Sequence, residues 1–492
     1  MGALNFLLPA GLPAEARREL ARAQVLGLPD YMPWPTTVRL SDDRLTAWRT
    51  VEESGTLAVP WPVGGRWLMV STATLMEREE PYQLQVELAR GKVNQVRSQA
   101  ADWQMIGLQL SPELAEELRQ LSLTFARTAC VPEQSTALAA QALERAVQAG
   151  DQLVLTYIDQ MIQARLQRLG RLETTWSCGL TGPPPGLEET VFFRQAFNAV
   201  RIPFSWPEVE PTESAYNWEP IDARVRWAKE NGLAIVAGPL VDFSRSQLPE
   251  WLWLWERDPQ SIAAFMTDYV ATAVQRYRSD IPVWHLTAAG NWGSVLSLEE
   301  DDVLQLTAQL LLTARQIDAG LELVVGITQP WGDYLATEDR AYSPFALADS
   351  LIRHDLPLSS LDLELVPGVQ PRGSPEHDLL DTSRLLDTYA ALDRPLRVTL
   401  GCPSAADRDP RADPDLHIHA PGQTPWTPEG QADWAARFAA LALCKPYVQA
   451  VNWCHFSDAN PHQFPHCGLL DAANIPKPAL DRLRVLREQY LQ

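Results

Sequence analysis

Beyond Thr174 the chain alternates between two textures. Short apolar, β-branched and aromatic runs at 175–181, 198–204, 233–242, 282–289, 321–327, 359–366, 394–400 and 448–454 predict buried strands. Helical spacing fills the gaps, at 187–196, 219–231, 258–278, 299–318, 344–354, 377–391, 428–444 and 476–490. Eight strand–helix units in succession predict a (β/α)8 TIM barrel over 174–492. Such a barrel carries its site on the loops after the strands, so the residues that end each strand are the ones to weigh.

The first 173 residues read differently. "TTVRLSDDRLTAWRT", "GTLAVPWPV" and "GRWLMVSTATL" are β-rich runs broken by Asp-Asp, Pro and Gly, which predict a small β-sandwich-like domain over 1–80. Residues 81–173 read as a helical segment. Ser111-Pro112 is a helix-start pair, and Leu155, Ile158, Ile162, Leu166 and Leu169 form one stripe of a long helix from Asp151 on. That helix leads straight into the first barrel strand, so the N-terminal region is expected to pack on the barrel. The basic group Arg90, Lys92 and Arg97 reads as a solvated helix face.

Composition narrows the function classes. The 492 residues are 46% hydrophobic and 21% charged, which suits a folded chain of two or three domains. A net charge of −21 argues against nucleic acid or an anionic membrane as partner. No run is long and apolar enough for a membrane span, and the opening residues lack the layout of a secretion signal. The six cysteines are scattered and form no disulfide framework, so reduced thiols and a cytoplasmic location are expected. Eighteen tryptophans fit a large core and equally fit sugar stacking.

Several segments then add up. "FNAVRIPFSWPEVEPTESAYNWEPIDARVRWAKENGLAIVAGPLV" at 197–241, "LPEWLW" at 248–253 and "VQAVNWCHFSDANPHQFPHCGLLDAANIPKPAL" at 448–480 resemble clan A glycoside hydrolases, most closely the xylanase-like family ten. The resemblance implies a sugar cleft and a retaining mechanism with two glutamates, one after strand four and one ending strand seven, about 5 Å apart. This chain departs from it at both places. "WHLTAAGNW" puts Ala288-Ala289 where Asn-Glu is expected, and "VTLGCPS" puts Thr399 at the nucleophile position.

The strand ends still carry polar groups. Asp242 and Glu364 are the candidate relocated catalytic carboxylates. Trp206, His285, Trp331, Asp333, Tyr334, Arg397, Trp453, His455 and Asp458 are candidate sugar contacts, with Trp206, Trp331 and Trp453 as stacking rings. Glu364 could instead pair with Arg397 inside the barrel as a purely structural ion pair. His417 and His419, and the group Cys454, His455, His462, His466 and Cys467, could supply zinc ligands, but their spacing follows no tight rule, and neither metal nor other cofactor is expected. Three functions stay open: a barrel that binds an oligosaccharide or other small sugar without hydrolysing it, an active glycosidase or transglycosidase using Asp242 and Glu364, and a non-enzymatic scaffold. The oligomeric state is left open.

Overall fold

The computed structural model describes residues 2–292, 295–422 and 426–491. Eight parallel strands close into a barrel: β1 (Thr175–Gly179), β2 (Ala199–Ile202), β3 (Ala234–Ala237, resumed at Val241–Asp242), β4 (Val283–Ala288), β5 (Glu322–Ile327), β6 (Ser360–Leu365), β7 (Leu396–Leu400) and β8 (Val448–Trp453). β8 pairs with β1, Ala450 facing Thr175, and this closes the ring. The strands are buried on both faces, which is why they read as apolar runs rather than clean alternation. A helix follows each strand within a residue or two of its expected bounds. Polar caps start several of them: Ser343, Asp378 and Thr427 each accept a backbone N–H three residues on, and Glu299 with Asp302 forms a capping box.

Two features of register place the site. Between β6 and β7, Asp362 faces Arg397 and Glu364 faces Thr399. Between β4 and β5 the register slips at His285/Thr287, a bulge that re-aims the side chains above it. Gly326 of β5 sits under the His285 ring, where a Cβ would come within 2.5 Å of Nε2.

The N-terminal region holds two four-stranded sheets. One has the order Thr36–Leu40, Arg44–Arg49, Gly2–Leu7, Tyr82–Gln83, and the other Pro33–Trp34, Gln24–Leu26, Gly55–Val63, Arg66–Leu75. Three helices follow: Leu84–Met105, Pro112–Cys130 and Ser135–Leu169. Ser111 caps the second, its hydroxyl accepting from Leu114 N–H at 3.2 Å. The third begins at Ser135, ahead of the stripe that starts near Asp151, because its alanine-rich first half is strongly helical and buries Leu143 and Val147 among smaller residues. The first helix presses on strand Arg66–Leu75 at Gly91, where a Cβ would lie 2.2 Å from the Ser71 carbonyl oxygen.

The basic group on that helix is not a solvated face. Lys92 is 3% exposed, ion-paired with Asp378 and, at 3.3 Å, with Asp381 of the barrel. Arg90 pairs with Glu87, and Arg97 is exposed. A second tie runs from Arg66 to Asp151 (3.2 Å) and Glu376 (2.8 Å). One apolar core runs from Trp103, Leu121 and Tyr157 of the helices into the barrel. Among the described residues no helix is long and apolar enough to cross a membrane.

Candidate functional site

A buried arginine occupies the mouth of the barrel. Arg372, on the loop after β6, is 2% exposed. Its Nε and Nη2 donate to Glu364 at 2.8 and 2.9 Å, and its Nη1 donates to both carboxylate oxygens of Asp242 (3.0 and 2.9 Å) and to Ser244 Oγ (2.6 Å). Phe464 covers the guanidinium, its ring centroid 5.6 Å from Cζ. Ser244 N–H also donates to Asp242 at 2.9 Å. The two acids respond in opposite directions. Burial pushes both up; at Asp242 the Arg372 charge and the Ser244 hydrogen bonds outweigh it and hold the carboxyl low, whereas at Glu364 burial wins.

Below this clamp lies a second buried network. Arg201 of β2 donates to Asp362 (2.9 Å), to Thr399 Oγ1 (2.8 Å) and to the Gly238 carbonyl (3.1 Å). Thr399 Oγ1 lies 2.8 and 3.0 Å from the two Asp362 oxygens, to which it donates. Arg201 also meets His285 Nδ1. Since a guanidinium only donates, that nitrogen accepts and the ring proton sits on Nε2. Burial and the Arg201 charge press the His285 pKa well down, so the ring is neutral.

The loop after β8 makes a third cluster. His455 Nε2 is 2.9 Å from Asp458 Oδ1, which also accepts from Gly468 N–H at 2.7 Å. Lys477 Nζ donates to Asp458 Oδ2 at 2.5 Å. His462 stacks on His455 with centroids 4.3 Å apart, and its Nε2 meets Asp409 at 3.0 Å. Donor atoms of His455, Asp458 and His462 lie within 4.8 Å of one another. The Lys477 ammonium already supplies the positive charge there, and the imidazoles are held by carboxylates, so this set is an ion-pair network rather than a cation cage. His419 is far from it in role, paired with Glu19 of the N-terminal region at 3.0 Å.

The sequence candidates therefore divide. Asp242 and Glu364 do meet at the mouth, joined by Arg372. His285 points into the barrel below them. Arg397 does not reach Glu364. It sits at the opposite end, bonded to Glu322 (3.1 Å) and Ser360 (3.2 Å), the first residues of β5 and β6. Trp206 is 1% exposed and stacks on Tyr269, centroids 4.8 Å apart, so it is core rather than a stacking platform. Trp453 is likewise buried, its Nε1 donating to the Cys467 carbonyl at 2.8 Å. Trp331 is half-buried against His377 at 3.6 Å, beside a cavity of about 20 Å³ that also touches Val366, Trp434 and Phe438. Asp333 accepts from Gln24 of the N-terminal region at 2.8 Å. Tyr334 braces Asn291, donating to its carbonyl at 2.5 Å. Ala289, after β4, is fully buried with a left-handed φ of +59°. Trp253, Trp255 and Trp292, on the loops after β3 and β4, keep exposed surface.

Sequence reasoning passed over Arg201 and Arg372. The first left a trace, a charged residue inside the apolar run "AVRIPF"; the second lies in an aperiodic loop, "VQPRGSP", with no such trace.

Comparison with known proteins agrees with this architecture. The family model of glycosyl hydrolase family 10 matches residues 188–287. Endo-1,4-beta-xylanase B of Thermotoga neapolitana is 22% identical over 299 residues, 58% of this chain and 79% of that protein. The native xylanase 10B of Thermotoga maritima superposes with a TM-score of 0.50 at 14% identity, over 66% of this chain and 97% of its own. A variant of xylanase 10C from Cellvibrio japonicus, in complex with xylopentaose, gives a TM-score of 0.50 at 16% identity, over 65% and 68%. At these identities the structural likeness is one of fold, a (β/α)8 barrel.

Proposed function

We propose that this protein is a xylanase-like barrel that binds a carbohydrate on its C-terminal face and has lost two-glutamate hydrolysis. The observation that carries this reading is the Arg372 clamp. A retaining glycosidase needs two carboxylates free to face one anomeric centre. Here Asp242 and Glu364 are both spent on one guanidinium. Of the two positions the family resemblance assigns to glutamate, one is the buried Ala289 and the other is Thr399, whose hydroxyl is committed to Asp362 and Arg201. Sugar binding rests on the likeness to the xylanase of Thermotoga neapolitana. It also rests on Trp253, Trp255 and Trp292, whose exposed surfaces suit apolar sugar faces.

One observation favours a second reading, an active enzyme with relocated groups. Glu364 is pushed up while Asp242 is held low, the separation an acid and a base require. That chemistry needs Arg372 to withdraw.

A hydrolysis screen separates the readings. Wild type and the Asp242→Ala/Glu364→Ala variant are incubated with aryl glycosides and with xylo-, gluco- and manno-oligosaccharides, and binding is followed by tryptophan fluorescence. The binding reading expects no turnover and ligand-dependent quenching. Turnover abolished in the variant establishes the relocated pair instead. No turnover and no quenching moves the reading to a scaffold.

A further inference from the structure

We propose that Cys454, His455 and Asp458 form a nucleophilic thiol site at the barrel mouth, one that takes a small soft electrophile of the haloacetamide or enone class. The site is independent of the carbohydrate reading.

The geometry starts on β8. Asn452 points into the barrel, where its Oδ1 accepts from Ser177 of β1 at 3.0 Å. Alternation turns Cys454 to the same side, one step above. Its Sγ stands over Gly401, where a Cβ would lie 2.9 Å away. His455 Nδ1 is 3.5 Å from Sγ, and the other ring nitrogen is held by Asp458. Asp458 is fixed in turn by Gly468 and Lys477. The order is thiol, imidazole, oriented carboxylate, the arrangement that activates a cysteine.

The remaining thiols provide the contrast. Cys178, Cys402, Cys444 and Cys467 are buried, and burial drives each of them up. Cys454 is half-buried and goes the other way. Burial alone would raise it, but the hydrogen bond with Cys467 and the charge and hydrogen bond of His455 bring it to about 5. His455 is lowered by burial, yet the Cys454 thiolate and the Asp458 hydrogen bond raise it to about 9. The groups that face this pair are Cys467, Cys402 and Cys178, with Asp458, His462 and Lys477 behind the imidazole.

With iodoacetamide the step is a displacement. The Cys454 thiolate attacks the methylene carbon, a C–S bond forms, the C–I bond breaks and iodide leaves. No proton reaches sulfur.

The test is the pH profile of alkylation of the folded protein between about pH 5 and 9, resolved by peptide mass spectrometry, with the exposed Cys130 as internal reference. Against an ordinary free thiol, the thiolate fraction at about pH 6 favours Cys454 by roughly 300-fold. Its weaker intrinsic nucleophilicity takes back about 25- to 50-fold. Cys454 should therefore react about 5- to 10-fold faster than Cys130 at that pH and more slowly at about pH 9, so that the two curves cross. In His455→Gln the Cys454 curve should move up by more than two pH units. Should that variant not fold, the wild-type profile decides alone. A Cys454 curve parallel to that of Cys130, or no Cys454 adduct at any pH, overturns the proposal.

Discussion

Replacing Arg372 by methionine tests the clamp directly. The side chain is 2% exposed and donates five hydrogen bonds, two to Glu364, two to Asp242 and one to Ser244. Methionine fills most of the volume and supplies none of them. The buried Asp242 and the partly buried Glu364 then lose their counter-ion, and breaking a buried pair from one side costs about 3–5 kcal/mol. Because both acids lose it together and repel each other, Arg372→Met should fall at the upper end. The pH dependence adds a second check. Without the guanidinium, burial raises both carboxyl groups above their unfolded values. The folded variant then holds protons that the unfolded chain has released, so its stability drops as pH rises above about 4 and the deficit against wild type is larger at pH 7 than at pH 5. Urea unfolding followed by tryptophan fluorescence at both pH values measures this. Adding Asp242→Asn and Glu364→Gln removes the charges and should recover at least half of the deficit at pH 7. An Arg372→Met variant within about 1 kcal/mol of wild type at pH 7 would refute the reasoning, because the two acids would then be in contact with water and free for chemistry.

Other outcomes follow from the same contacts. Thr399→Val removes a buried hydroxyl from Asp362 and Arg201 and should cost about 1.5–3 kcal/mol in urea unfolding without changing any turnover in the hydrolysis screen. Lys92→Met leaves Asp378, a buried acid, without its ammonium and should cost about 3–5 kcal/mol, read as a lowered thermal midpoint. Below about pH 6.5 the unfolded chain takes up protons that His285, pressed well down, and His377, lowered by burial to about 4, refuse, so stability should fall as pH drops. His377→Phe, which preserves the stack on Trp331, should remove about 2 kcal/mol of that loss between pH 6.5 and 4.

The barrel was legible because its strands and helices are local patterns. The run 359–366 shows itself as Ser360–Leu365 without any knowledge of its neighbours. Strand parity also placed Asp362 and Glu364 on one side correctly. Parity says nothing of height along the barrel axis, and so it joined Glu364 to Arg397, which lies at the other end beside Glu322. Side-chain partners that arrive from loops are set by tertiary closure. Arg372 reaches Asp242, 130 residues away, from a segment with neither helical nor strand period. Lys92 looked like surface because its partners, Asp378 and Asp381, lie nearly 300 residues further on. The tryptophans show a similar limit: Trp206 follows β2 and Trp453 ends β8, as cleft residues would, yet apolar packing claims both.

The loop after β6 carries Arg372 at its middle and Glu376 and Asp378 at its far end. Those two acids are neutralised by Arg66 and Lys92, and Met69 N–H donates to the Glu376 carbonyl at 2.8 Å. The state of the mouth is thus inherited from a part of the chain outside the barrel. A descendant that shed its first 173 residues would strand Glu376 and Asp378 without either cation and unseat the segment that holds Arg372. The N-terminal region and the closed mouth are coupled through this one loop: what steadies its far end also steadies Arg372.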